Sequence, residues 1–440
     1  MKRFLSILLL FVLCLSLVAC GEEKVSFDVD ENINEEVEIS AEAEEKLAEA
    51  IQTLGILKEE PKEELVEEIQ EGITPELEKA RISSDKIIKI ADLVIDNKDK
   101  LSIDENNITK DNIKMIVFGV EKVLDILGDD FLGLYIANTA LEFQDEFDIS
   151  KFDILEYSVI NSRFTVKSLK QILKSIDDAD IDAIYNAYTK LEKDENLEGK
   201  DIRPLLDVLS DMLDSIKFSD SSWEQLAEMS SKKVDVLLEA IDSVGVAPTE
   251  LTKIINVEKL KKVIVETTLK TPLFIKSAKA VVDGFTTEVI DELVKDFNYD
   301  FNNKYYINGE EVTKEDYKVA KNKNELNVFV FINNVVNNLS KEEIKELEEY
   351  YILVCNLIND AVINLMKEYN PEFKEEDIKF EGENITLDEL IQIFEDITKL
   401  DYASETFEDS LDELEEKLEK GLLNYLYSKA PTLKLLLGGF

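Results

Sequence analysis

The chain has 440 residues, and 96 acidic against 50 basic ones give a formal charge of −46. Such a charge repels phosphate backbones, which are bound by cationic surfaces, so nucleic acid is excluded as a partner. With 14 Gly and 7 Pro, well under the usual roughly 7 % and 5 %, the chain lacks the tight turns that sandwiches, barrels and doubly wound sheets need; at 45 % hydrophobic residues it can still bury a core, so the expected fold class is all-α, mostly helical with a few short β-hairpins between helices.

The first element is the N-terminal run. Lys2 and Arg3 precede an uninterrupted apolar stretch from Phe4 to Leu15, and Leu17-Val18-Ala19-Cys20-Gly21 follows. This is the layout of an export signal: a cationic start, a short apolar centre and small residues at the cut. The small-then-Cys ending resembles the lipobox of bacterial lipoproteins. That resemblance implies a signal peptide over 1–19, acylation of the Cys20 thiol, and a body held by acyl chains on the extracytoplasmic side of a cell membrane, facing either the cell surface or a periplasm. The rival reading is an uncleaved anchor over residues 4 to 20. At roughly 17 residues it sits at the low limit for spanning a bilayer, and it contains Ser6, Ser16 and two Cys. Removal of Lys2 and Arg3 takes the charge from −46 to −48. Anionic headgroups are then repelled, so membrane contact falls to the lipid anchor.

Residues 22 to 45 carry eleven acids and one base, Lys24. The expectation for 20–40 is the lipidated Cys and an acidic, solvated tether that holds the body about 25 Å from the bilayer. Two helical domains are then expected, 41–244 and 249–440, with the seam at Val244-Gly245-Val246-Ala247-Pro248-Thr249, the best Gly/Pro break in the chain.

Several helix starts are legible. Thr74-Pro75-Glu76 places an N-cap before a proline, and Ser221 to Glu224, Ser340 to Glu343 and Thr386 to Glu389 have capping-box spacing. Met115 to Leu141 reads as a buried helix hairpin. Trp223, Leu226, Ala227, Val234, Leu237, Leu238 and Ile241 form one apolar stripe, and Leu411, Leu414, Leu418 and Leu422 a second. The clearest strand signal is Lys304 to Val312, with Asn308-Gly309 as a two-residue hairpin turn.

An apolar-x4-apolar-Thr-x3-apolar element recurs: Ile103-to-Ile108-Thr109, Val159-to-Phe164-Thr165, Ile307-to-Val312-Thr313 and Phe380-to-Ile385-Thr386. Each predicts a tight reversal followed by a Thr-capped helix. Pairing the first with the third and the second with the fourth predicts two related helical halves. The segment Ile307 to Tyr317 also resembles the strand-turn-helix start of extracytoplasmic prolyl-isomerase foldases. It covers about a dozen residues deep in the chain with no isomerase domain, and is read as local convergence.

The chemistry available is narrow. The chain has no His, which removes the commonest general base, the Ser-His triad and imidazole metal ligands. In the mature chain only Cys20 and Cys355 would remain, so no internal disulfide is expected, and Cys355 in the apolar run Tyr350 to Ile358 reads as a small buried residue. Asp296-Asn298-Asp300-Asn302 begins like a calcium loop, but Phe301 stands where Gly is needed and Ile307 where Glu is needed; Asp178-Asp180-Asp182 fails similarly. Only four of the 50 bases are Arg (Arg3, Arg81, Arg163 and Arg203), which reads as codon bias. No catalytic, cofactor-binding or metal residue is nominated, no cofactor is expected, and the one named site is lipid attachment at Cys20. The expected role is non-catalytic: binding, adhesion or envelope scaffolding through a helical surface, with an unknown protein or peptide partner. The alternatives are a chaperone or foldase, and a glycan-active enzyme using paired carboxylates.

Overall fold

The computed structural model describes residues 23–54, 61–101, 108–142, 151–193, 197–244, 250–300, 304–374, 378, 382 and 385–432. The expected signal peptide (1–19), Cys20, the run Ile103 to Asn107, the break 245–249, Phe380, Phe301, Asn302 and the apolar tail Leu433–Phe440 lie outside them, as do the side chains of Leu237 and Ile241. The fold is all-α: helices carry most of the described residues, with one three-stranded antiparallel sheet among them.

The chain divides into two compact units, Met1–Tyr185 with Asp211–Val246 and Asn186–Ser210 with Ala247–Phe440. Residues 186–210 therefore belong with the second unit, although they precede the expected seam. Polar bonds explain why. Asp291 Oδ1 accepts the Gly199 amide at 2.6 Å, and Arg203 donates to the carbonyls of Val282 (3.1 Å) and Phe285 (2.8 Å).

In the first unit α1 (Ala41–Thr53) begins at Ser40, whose Oγ accepts the Ala43 amide. α2 (Lys62–Glu68) runs through a wide turn, Ile69–Ile73, into α3 (Thr74–Lys79). Thr74 is thus not a cap: the helix reaches it unbroken, and its hydroxyl donates to the buried Glu44, which also accepts from Gln70. α4 (Ser84–Asp96) packs on α1 through Ala43 and Ile87, joined by Ile82 just before α4. The short α5 (Lys98–Leu101) precedes α6 (Lys110–Leu127), which opens with a capping box between Thr109 and Asn112.

Gly128, at φ +83°, ends α6, and α7 (Phe131–Leu141) follows. The two helices are not the mutually packed hairpin expected for Met115 to Leu141. α7 lies along α8 (Lys151–Ser175), whereas α6 packs on α4 and α8 and leaves Ile116, Phe118 and Val120 exposed. The α7–α8 approach is close because Gly133 faces the Ser158 and Val159 backbone. This contact also overturns the expected reversal at Val159 to Thr165. Leu155, Val159, Ile160 and Phe164 are all buried on one face of α8, and the Thr165 hydroxyl donates to Asn161 O at 3.0 Å inside the helix. The pairing of Val159 with Phe380 fails with it. α9 (Asp178–Glu192) and α10 (Gly199–Ser215) lead to α11 (Asp220–Val244). α11 starts two residues before the expected capping box: the Ser219 carbonyl accepts the Trp223 amide. Its stripe is buried at Trp223, Leu226, Ala227, Val234 and Leu238.

The second unit continues with the short α12 (Leu251–Ile254), α13 (Val257–Leu269), α14 (Thr271–Gly284) and α15 (Thr287–Leu293). Strands β1 (Phe297–Tyr299), β2 (Tyr305–Ile307) and β3 (Glu310–Val312) pair in that order. Asn308 (φ +51°) and Gly309 (φ +81°) make the type I′ turn that Asn-Gly predicts. Capped helices follow: α16 (Lys314–Asn337) at Thr313, α17 (Lys341–Tyr369) at Ser340 and α18 (Leu387–Thr398) at Thr386. α19 (Phe407–Lys429) completes a core of Leu326, Ile397, Phe407 and Leu411, with Leu414 and Leu418 against it. Complete burial of a Phe such as Phe407 contributes about 2–3 kcal/mol. Leu422, one turn beyond Leu418, is exposed.

Candidate functional site

The acidic segment after Cys20 is not a free tether. From Glu23 to Ser40 it lies on the first unit as a strap. Its first residue forms a parallel bridge with Phe218: the Glu23 amide donates to Lys217 O at 3.0 Å, and the Ser219 amide donates to Glu23 O at 3.1 Å. Val25 is buried, its amide directed at Ser222 Oγ. Val29 and Ile33 pack on Leu134, Leu155 and Val159, and Ile39 packs on the cluster of Ala43 and Ile87. A chain of this charge would ordinarily remain solvated; here the opposite charge is supplied by one helix.

That helix is α8. Arg163, Lys167, Lys170 and Lys174 follow one another at steps of three and four, so they form a basic stripe along one face. The Arg163 guanidinium is used at three nitrogens. Nε and Nη2 donate to the two Asp130 oxygens at 2.6 and 3.0 Å, and Nη1 donates to the carbonyls of Ser26 (2.7 Å) and Asp28 (2.9 Å). The Asp130 carboxylate raises the Arg163 pKa against the opposing effect of burial, so the guanidinium stays charged. Lys167 pairs with Glu23 at 2.6 Å, and Lys170 with Asp129 at 3.0 Å. Gln171 locks the same corner: it donates to Glu23 Oε2 and Lys217 O, and accepts the Lys217 amide. Beneath the strap, Phe164 meets Phe27, Phe218 and Trp223 at centroid distances of 6.1, 4.9 and 5.2 Å.

Sequence reading missed this site because it weighed the charge of 22–45 alone. A signal was present: Val25-Ser26-Phe27-Asp28-Val29-Asp30 alternates apolar and polar residues, the period of an extended segment with one buried side. Its partner residues are more than 100 positions away, beyond any local pattern.

The other polar motifs have structural duties. Asp178 and Asp182 pair with Lys114 (2.6 Å) and Lys110 (2.5 Å), while Asp300 Oδ1 accepts the Lys304 amide in the β1–β2 connection. Cys355 is buried in α17, and burial pushes its thiol pKa up. Burial also raises the carboxyls of Asp180, in the first unit, and Glu415, in the second. Among the described residues no group of three or more Cys, Asp or Glu is placed to hold a metal, and no helix is long and apolar enough to cross a membrane. Compared with protein-family models, curated proteins and solved structures, the chain matches none.

Proposed function

We propose that this chain is an extracytoplasmic lipoprotein, cut before Cys20 and acylated there, whose helical body has a non-catalytic binding or scaffold role in the cell envelope. The observation that carries the reading is the run from Lys2-Arg3 through Phe4–Leu15 to Leu17-Val18-Ala19-Cys20, set immediately before a strap that is folded from Glu23 onward. Such a junction suits a mature chain that begins at the cysteine. Support for a non-catalytic role comes from the occupation of its polar side chains. The Asp178 and Asp182 carboxylates are bound in ion pairs, and the Cys355 thiol is buried and held protonated.

The test is production of the full chain in a bacterial host fed an alkyne fatty acid, followed by membrane fractionation and mass spectrometry of the N-terminus. A labelled, diacylated or triacylated Cys20 in the membrane fraction is expected, with the label lost in Cys20→Ala. An intact, unlabelled N-terminus would end the reading.

A second reading, a chaperone or foldase, draws support from the strand-turn-helix of β2, β3 and α16, which forms at the segment that resembles such proteins. Suppression of aggregation of an unfolded client by the body from Glu23 onward would favour it.

A further inference from the structure

We infer that one end of the first unit, formed by the C-terminal turn of α8 and the Lys217–Ser219 segment, is a bilayer-facing surface. The inference rests on acylation of Cys20 and adds where the anchored body meets the lipid.

The strap has a direction. Glu23 lies at Lys167 and Gln171, Ser26 and Asp28 lie at Arg163, and Val29 and Ile33 lie near Leu155 and Val159. It therefore runs antiparallel to α8, and its N-terminal end is at the helix's C-terminal end. Only three peptide steps separate Cys20 from Glu23, and three extended steps reach at most about 11 Å. A headgroup layer is itself roughly 6 Å thick. An acylated Cys20 seated at the interface thus leaves Glu23 and the Lys217–Ser219 segment no room to stand off from the membrane. A solvated tether of the same twenty residues would instead allow about 25 Å.

The charge at this end is mixed. Acids outnumber bases almost two to one in the chain, yet this end presents the exposed Lys174 and Lys217 beside the basic stripe of α8. Asp177, Asp178, Asp214 and Asp220, all exposed, flank them, so the surface is mixed and not polybasic. Charge therefore supplies no net attraction to anionic headgroups, and the acyl chains supply the affinity. Orientation comes from the strap, which fixes which side of the unit points at the lipid.

The experiment uses the acylated full chain in vesicles of phosphatidylcholine and phosphatidylglycerol, with a fluorophore on Lys174→Cys or, as the remote control, on Asp85→Cys. Asp85 is exposed at the start of α4, where Ser84 meets the far end of the strap at Ser40. Headgroup-nitroxide lipid should quench the label at 174 several-fold more than the label at 85. Inserting ten Gly/Ser residues after Gly21 should bring 174 down to the level of 85 with acylation unchanged. Mass spectrometry of each sample separates the two possible failures. Acylated protein with equal quenching at 174 and 85, or quenching at 174 that survives the insertion, overturns the orientation and leaves the lipoprotein reading standing. Protein without acyl chains overturns the lipoprotein reading, and this inference with it.

Discussion

Replacing Arg163 with Ala should release the strap. The guanidinium makes two bonds to Asp130 and two to the carbonyls of Ser26 and Asp28. Removing one partner of a buried ion pair costs about 3–5 kcal/mol, because the other charge is left unpaired. Asp130 retains 28 % side-chain exposure against 11 % for Arg163, so water relieves part of that loss, and about 3 kcal/mol is expected. Bonds to the two strap carbonyls are lost with it, each a net contribution of about 1 kcal/mol that water partly replaces. Trp223 is the only tryptophan, and it packs against Phe164 and Phe218 beneath the strap. Its fluorescence in a urea titration therefore reports the first unit alone, which matters in a chain of two units where a single two-state transition is not guaranteed. R163A should move this transition to lower urea and shift the native emission to the red as water reaches the cluster. Cleavage by a Glu-specific protease after the exposed Glu35 and Glu36 should accelerate. Arg163→Lys should recover less than half of the loss, since an ammonium lacks the planar fork. A transition within about 0.5 kcal/mol of wild type, the range of an ordinary surface substitution, together with unchanged proteolysis, would refute the reasoning.

Three further outcomes are expected. Gly133→Ala places a Cβ 2.6 Å from Val159 Cα, against backbone that cannot rotate away, and should cost about 1–3 kcal/mol in the same Trp223 assay; an unchanged midpoint would mean α7 and α8 are less closely apposed. For Glu292, burial alone would raise the carboxyl, but hydrogen bonds and charge from Lys295 and Lys323 outweigh it and hold the value below the ordinary one. A depressed carboxyl contributes stability that is present above its unfolded pKa and lost as pH falls through the folded one. The second unit should therefore weaken in acid below about pH 4–5, and Glu292→Gln should flatten that limb in tyrosine near-UV circular dichroism; identical limbs would reject the pairing. In the body from Glu23 onward, where it is the one cysteine, Cys355 should resist an aromatic disulfide reagent when folded and react once in denaturant, and rapid titration of the native protein would contradict its burial.

What was legible in the sequence is the part governed by neighbours. Thr313, Ser340 and Thr386 cap their helices because a cap needs only a side-chain oxygen and an amide two or three residues on. Asn308-Gly309 turns because both positions need positive φ. The same local rule misled at Thr165, where the surrounding residues satisfy a helical stripe as well as a reversal. Leu155, Val159 and Phe164 decide for the helix because α7 and the aromatic cluster bury them. Ser219, not Ser221, precedes α11 because the bridge from Glu23 to Phe218 already fixes the chain there. The preference of residues 186–210 for the second unit depends on Asp291, Val282 and Phe285, about 80 to 90 positions distant. No window of sequence contains both sides of those bonds.

The rarity of Arg has the same lesson in sharper form. In a chain whose bases are overwhelmingly Lys, composition alone makes each Arg look incidental. All three among the described residues, however, serve as forks that bind other parts of the chain. Arg203 takes the carbonyls of Val282 and Phe285 together with Asp207. Arg163 takes those of Ser26 and Asp28 together with Asp130. Arg81, itself at φ +55°, donates to Asn34 Oδ1 and to Glu78 O. A lysine ammonium presents a point charge and cannot satisfy two carbonyls and a carboxylate in one plane. Two of the three forks close on the strap, at Ser26 to Asp28 and again at Asn34. The arginine bonds to Ser26, Asp28 and Asn34 would be superfluous if the acidic segment were a solvated spacer. They are required if the segment must stay docked while its N-terminal end is pulled toward a membrane.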